Sequence, residues 1–173
     1  MEHVLIHCNV TPMRTIWELA KNTWPHAHHP WPKITIGIIL GCGSIIASTN
    51  APTNDVQPGG INQFQARTPK GATRLLQILI SKSAYLIWVL RCERVIQNCP
   101  HSTSEVFHRW LHAINTRLTD DRLIATKIKR DKKSIQTVKG TWEHALRKTM
   151  DLPEDWITSR EGLVGRRTRR LAS

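Results

Sequence analysis

No proline interrupts the stretch from Lys70 to Gln97, and its one glycine, Gly71, stands near the start. Leu75, Leu79, Leu86 and Leu90 recur along one stripe at helical spacing, and Leu76, Ile80, Ile87 and Trp88 widen it. A helix apolar over so much of its girth has to be surrounded by other elements. The segment therefore predicts one continuous helix at the centre of a helical bundle, stopped by Asn98-Cys99-Pro100.

A membrane would be the other way to surround such a helix. Leu75 to Leu90 contains Gln77, Ser81, Lys82 and Ser83, which favours burial in protein over burial in lipid. Ile34 to Ala47 is uncharged but only 14 residues long, too short to span. Neither is expected to cross a bilayer. The chain has seven Trp beside one Tyr and two Phe, so it has large side chains to bury and at least one ordered core is expected. Its 173 residues suffice for one such domain.

The remaining elements also read as helical. Thr11-Pro12 predicts a helix start, with Thr11 as N-cap and Met13, Ile16, Trp17 and Ala20 on one face, ending before Trp24-Pro25. Pro25, Pro30 and Pro32 make a rigid, extended connector. Ile34 to Leu40 is apolar and β-branched, and its length fits a short helix or a strand. Ser102-Thr103-Ser104-Glu105 fits a capping box ahead of Val106, Trp110, Ala113, Ile114 and Leu118. Thr119-Asp120-Asp121 is expected to cap a continuation through Leu123, Ile124 and Ile128. Ser134 is expected to open a last helix with Ile135, Val138, Trp142, Ala145 and Leu146 inward. The fold class is all-α, an irregular bundle of four or five helices with a long loop near 44–69 and disordered termini. The organisation reads as a terminal segment 1–10, a first helix and connector 11–43, the loop 44–69, a bundle core 70–157 and a basic tail 158–173.

Little of this sequence carries catalytic chemistry. Two-metal nucleases need several converging carboxylates, whereas Asp120 and Asp121 suit a helix start and Glu154 and Asp155 lie in a polar tail. Gly37, Gly41 and Gly43 lack the Lys-Ser/Thr of a phosphate loop. No enzymatic activity is expected. His3 and Cys8, with four residues between them, match the back half of a Cys-Cys-His-Cys zinc knuckle. The Cys pair that should precede His3 is missing, so His3 and Cys8 form an incomplete metal half-site even with His7 added. No cofactor is expected, and zinc only if that upstream pair were present. His26, His28 and His29 cluster between prolines with no nearby carboxylate or Cys, which reads as an exposed loop. No secretory signal is expected, because Glu2, His3 and His7 break the early apolar stretch. The setting expected is intracellular and reducing, with Cys8, Cys42, Cys92 and Cys99 as thiols.

Charge is the remaining signal. The formal net charge is +12, and residues 1–67 hold only four basic and three acidic residues, so nearly all the excess lies beyond them. Lys127, Lys129, Arg130, Lys132 and Lys133 gather at a helix end, and Arg166, Arg167, Arg169 and Arg170 near the terminus. Such runs neutralise phosphates without reading bases, so the partner expected is RNA or DNA, bound sequence-independently. The plainer reading of the first run is basic side chains complementing a helix dipole.

Several blocks carry a resemblance. Glu2, His3, Leu5 and Cys8 follow a Glu-His-apolar-Leu-x-x-Cys pattern, with Ile16-Trp17-Glu18-Leu19-Ala20, Trp31-Pro32 and Leu40-Gly41-Cys42 after it. The most specific block runs from Gly71-Ala72-Thr73-Arg74-Leu75 through Ser83-Ala84-Tyr85-Leu86-Ile87-Trp88 to Leu90-Arg91-Cys92-Glu93-Arg94. Arg109-Trp110, Asp121-Arg122, Asp155-Trp156 and Leu163-Val164-Gly165 continue it. Together they resemble the carboxy-terminal region, after the ribonuclease H domain and starting inside the zinc-binding segment, of fungal non-LTR retrotransposon reverse transcriptase polyproteins. Ser44 to Arg67 departs from that pattern. The resemblance implies a non-catalytic, retrotransposon-derived helical appendix that helps hold nucleic acid. The alternative is a structural or protein-interaction bundle, or a non-functional remnant. Exposed Trp and Arg beside the basic runs would favour the first, and seven buried Trp the second.

Overall fold

The computed structural model of the protein describes residues 5–6, 11–25, 30–45, 70–147 and 153–158. Among them are five α-helices and no strand: α1 (Thr11–Thr23), α2 (Ile36–Leu40), α3 (Lys70–Ile96), α4 (Thr103–Leu123) and α5 (Lys132–Arg147). A 3-10 turn (Cys42–Ser44) follows α2, and a π-helical segment (Ile124–Lys129) extends α4. The expected all-α bundle is what the chain forms. The loop expected near 44–69 lies, beyond Ser44 and Ile45, outside the described residues, as do most of both termini.

Helix α3 is the axis. Leu75, Leu76, Leu79, Ile80, Leu86, Ile87 and Leu90 are buried, and α1, α4 and α5 all pack against it. It is long and apolar enough to cross a membrane, and 56% of its apolar window is buried inside the bundle. Trp88, expected in the apolar stripe, is 44% exposed, with Tyr85 one turn before it also facing out. Asn98 takes the left-handed conformation at φ 52°, and Cys99 N–H donates to the Glu93 carbonyl six residues back, which closes the helix end.

The turn into α4 is held by side chains. Ser102 Oγ accepts from the Glu105 amide at 3.1 Å, the expected N-cap. The reciprocal half of the capping box is absent, because the Glu105 carboxylate turns to His101 Nδ1 at 2.9 Å instead. Arg109 donates to both Glu93 oxygens, at 2.6 and 2.8 Å, and so clamps α4 back along α3. That clamp holds the Glu93 carboxyl below the usual range, the Arg109 hydrogen bonds contributing most.

Helix α1 buries Ile16 and Ala20, and Trp17 Nε1 donates to the Leu5 carbonyl at 2.9 Å. Trp24 is buried edge-on to Trp31, their rings 6.4 Å apart, so the proline connector is anchored at both ends. Thr35 decides the ambiguous Ile34–Leu40 stretch: its hydroxyl caps Ile38 N–H, and the chain turns helical with Ile39 inward. Gln77 then ties the 3-10 turn to α3 by donating to the carbonyls of Gly43 and Ile45.

Three expectations in the last third need correction. Thr119–Asp121 does not start a helix, since α4 runs unbroken to Leu123. Its buried stripe continues from Ile114 and Leu118 through Asp121 to Ala125, which leaves Leu123, Ile124 and Ile128 exposed at 48, 39 and 74%. The polar residue sits in core register because it has charged partners, described below. The last helix opens at Lys132 rather than at Ser134. Asp131 is the better acceptor, taking the Ser134 amide and hydroxyl at 2.8 and 2.7 Å.

Helix α5 buries Val138, Trp142, Ala145 and Leu146 as its spacing predicts. It crosses α3 where Gly71 faces the backbone of Gly140 and Thr141, so the two helices approach without side chains between them. Trp156 and Ile157 close the same core.

Candidate nucleic-acid interface

The junction between α4 and α5 carries the central basic run. Lys127 and Lys129 lie in the π-helical segment, Arg130 ends it, and Lys132 and Lys133 open α5; all five are exposed. A helix dipole welcomes cations only at its C-terminal end. It accounts for Lys127 and Lys129 but opposes Lys132 and Lys133, which stand in the first turn of α5 with Asp131, just before the helix, as their acidic neighbour. The plainer dipole reading thus covers part of the run only. Asp131 is the one carboxylate within it, and its oxygens are turned to Ser134. The Ser134 hydroxyl and amide, with Lys129 nearby, hold its carboxyl below the usual range, so it is ionised near neutrality. Among the described residues no ion pair joins the five cations to a carboxylate, whereas Arg74, Arg109 and Arg117 are each so paired.

Arg130 adopts the left-handed conformation at φ 51° and ψ 27°, with its N–H on the Ala125 carbonyl five residues back. For a side chain other than Gly this costs roughly 1–2 kcal/mol. The bend turns its guanidinium back, and Arg130 Nε donates to the Lys127 carbonyl at 3.0 Å.

Beside the run lies a groove of about 500 Å³ between the π-helical segment, α5 and the 153–158 turn. Arg122, Lys127 and Arg130 give it three cations; Leu123, Ile135 and Ile157 give it an apolar wall; no carboxylate lines it among the described residues. Arg122 Nε donates to the Ile157 carbonyl at 3.3 Å, and burial pulls its guanidinium below the ordinary arginine range. Arginine starts so high that it stays charged.

Sequence reasoning missed a buried carboxylate with several partners among the described residues. Asp121, 2% exposed, accepts from both terminal nitrogens of Arg74 at 2.7 Å and from Trp142 Nε1 at 2.9 Å. Arg117 Nε stands 3.2 Å from its other side. The carboxylate joins α3, α4 and α5 at one point. The available signal was its register, three residues after Leu118 and four before Ala125 in a stripe of core positions. Arg74 and Arg117 also line a smaller notch of about 250 Å³ with Lys82, Gln77 and Ser81, but both are engaged with Asp121.

The other candidate residues fall elsewhere. His3 and Cys8, the cluster His26, His28 and His29, and the terminal Arg166, Arg167, Arg169 and Arg170 lie outside the described residues. Among the described residues no three His, Cys, Asp or Glu are grouped to hold a metal, and Cys42, Cys92 and Cys99 are free thiols. Of the seven Trp, four are buried, Trp17 and Trp31 are half-buried, and Trp88 is exposed. Trp88 lies roughly 21 Å along α3 from Arg74, at ~1.5 Å per residue, and so away from the basic run. No family model, curated protein or solved structure matches the chain.

Proposed function

We propose that the protein is a non-catalytic, sequence-independent nucleic-acid-binding helical module, which the basic junction between α4 and α5 brings to the phosphate backbone. One observation carries this reading: five exposed cations within seven residues, none ion-paired among the described residues, two of them at a helix end that repels them. Arg166, Arg167, Arg169 and Arg170 would add charge of the same sign. The resemblance to a retrotransposon polyprotein region agrees with this role and is part of the proposal.

Salt titration tests it. If about five phosphates are neutralised, log affinity against log salt falls with a slope of about −4.5 on duplex DNA and about −3.5 on single strands. Changing Lys127, Lys129, Arg130, Lys132 and Lys133 together to Gln flattens the slope while the helical signal stays. A flat salt response in the unchanged protein removes nucleic acid as a partner. The second reading, a protein-interaction bundle, is favoured by one feature only, the exposed Tyr85, Trp88, Val95 and Ile96 along α3. It predicts a partner lost on changing Trp88 and unaffected by the five-residue variant.

A further inference from the structure

A patch that only neutralises phosphates needs no cavity, yet this one borders a groove with an apolar wall. Leu123 is 48% exposed on that wall. The volume of about 500 Å³ falls within the ~300–1,000 Å³ of small-ligand sites. A π-helical segment supplies two of the lining residues and is closed by a third, and such segments recur at functional sites. The left-handed Arg130 is a strained residue kept at the groove's edge, where a Gly would be easier. Cations on one side and an apolar wall on the other, with no carboxylate among the described lining residues, are complementary to a group that is anionic at one end and flat and apolar at the other.

We infer that this groove receives one unstacked nucleotide of a single-stranded RNA or DNA, its phosphate against Arg122, Lys127 and Arg130 and its base against Leu123, Ile135 and Ile157. The inference rests on the nucleic-acid reading and sharpens it: the module prefers single strands, because a duplex keeps its bases stacked and out of reach. Thr119 and Thr158 hydroxyls at the rim can bond a sugar or a base edge.

The test compares three probes at one salt concentration: a short thymidine oligonucleotide, an abasic strand of the same length and charge, and a duplex. The full chain should hold the thymidine strand about fivefold or more tighter than the abasic one, the lower end of a base contact worth ~1–3 kcal/mol. Leu123→Asn changes no charge and alters an exposed position. It should bring that ratio towards one and leave both duplex affinity and the salt slopes as they were. Unchanged melting of the variant establishes that it folds. Equal affinity for thymidine and abasic strands in the unchanged protein overturns the groove assignment while the phosphate reading stands. Salt-independent or absent binding to all three probes overturns both. Preference for phosphatidylserine vesicles over every oligonucleotide would likewise overturn it, by giving the groove to a lipid headgroup.

Discussion

Asp121 has the geometry of a residue whose removal is felt through its neighbours. Its carboxylate is 1% exposed and faces Arg74, Arg117 and Trp142 Nε1 at once. Taking two charges from water costs several kcal/mol, so the network as a whole need not add much stability. Breaking it is different, because Arg74 and Arg117 would be left facing each other and Trp142 Nε1 would lose its acceptor. Asp121→Ala should therefore cost about 3–5 kcal/mol, seen as a lower denaturant midpoint at an unchanged slope. A loss within the ±0.5 kcal/mol of an ordinary surface site would mean that water replaces the carboxylate. Arg130 is a different case, a surface residue held in the left-handed conformation where it closes the helical segment that precedes α5.

At the scale of elements, the α3–α5 crossing and the α3–α4 turn each make a testable claim. A Cβ on Gly71 would fall well inside contact distance of the Gly140 carbonyl, whereas one on Gly140 meets nothing closer than 4.0 Å. Both residues are helical, and helix propensity alone favours Ala over Gly by about 1 kcal/mol at either. Packing separates them: Gly71→Ala should destabilise by about 1–3 kcal/mol, and Gly140→Ala should be neutral or stabilise by up to about 1 kcal/mol. Melting of the two variants side by side checks this, and equal shifts would place the crossing elsewhere. In the α3–α4 turn the Glu93 carboxyl is held low, first by the Arg109 hydrogen bonds and then by Arg109 and His101 charge. A depressed carboxyl contributes stability above its unfolded value, about 4.3, and loses it as pH falls through the folded value. The stability gap between the protein and Glu93→Gln should shrink as pH falls below about 5. A gap that persists into strong acid would assign the turn to packing rather than to the clamp.

Across the whole molecule, one apolar core joins α1, α2, α3, α4, α5 and the 153–158 turn, with Trp24, Trp110, Trp142 and Trp156 as its largest buried side chains. The charge is organised separately from this core. Arg74 and Arg109 are spent on joining helices and Arg117 on Asp121 within α4, while the junction after α4 keeps its cations outward. Tyr85 and Trp88 stand exposed farther along α3, away from that junction.

Much of the fold is readable in the linear order of residues. The proline-free apolar stretch determines α3, Asn98 its closure, Ser102 the start of α4, and the spacing of Val138, Trp142 and Leu146 the inner face of α5. These are local choices, made by backbone capping and by the period of apolar residues. The basic run was equally plain, since charge is additive and needs no fold to be counted. What only the tertiary structure decided is which polar residues go inside and which apolar ones stay out. Asp121 takes a core position because Arg74, 47 residues away in sequence, supplies its counter-charge. Leu123, Ile124 and Ile128 are left at the surface in consequence, and one of them becomes the wall of a groove. Such an exchange depends on pairings between distant helices, which no local pattern encodes.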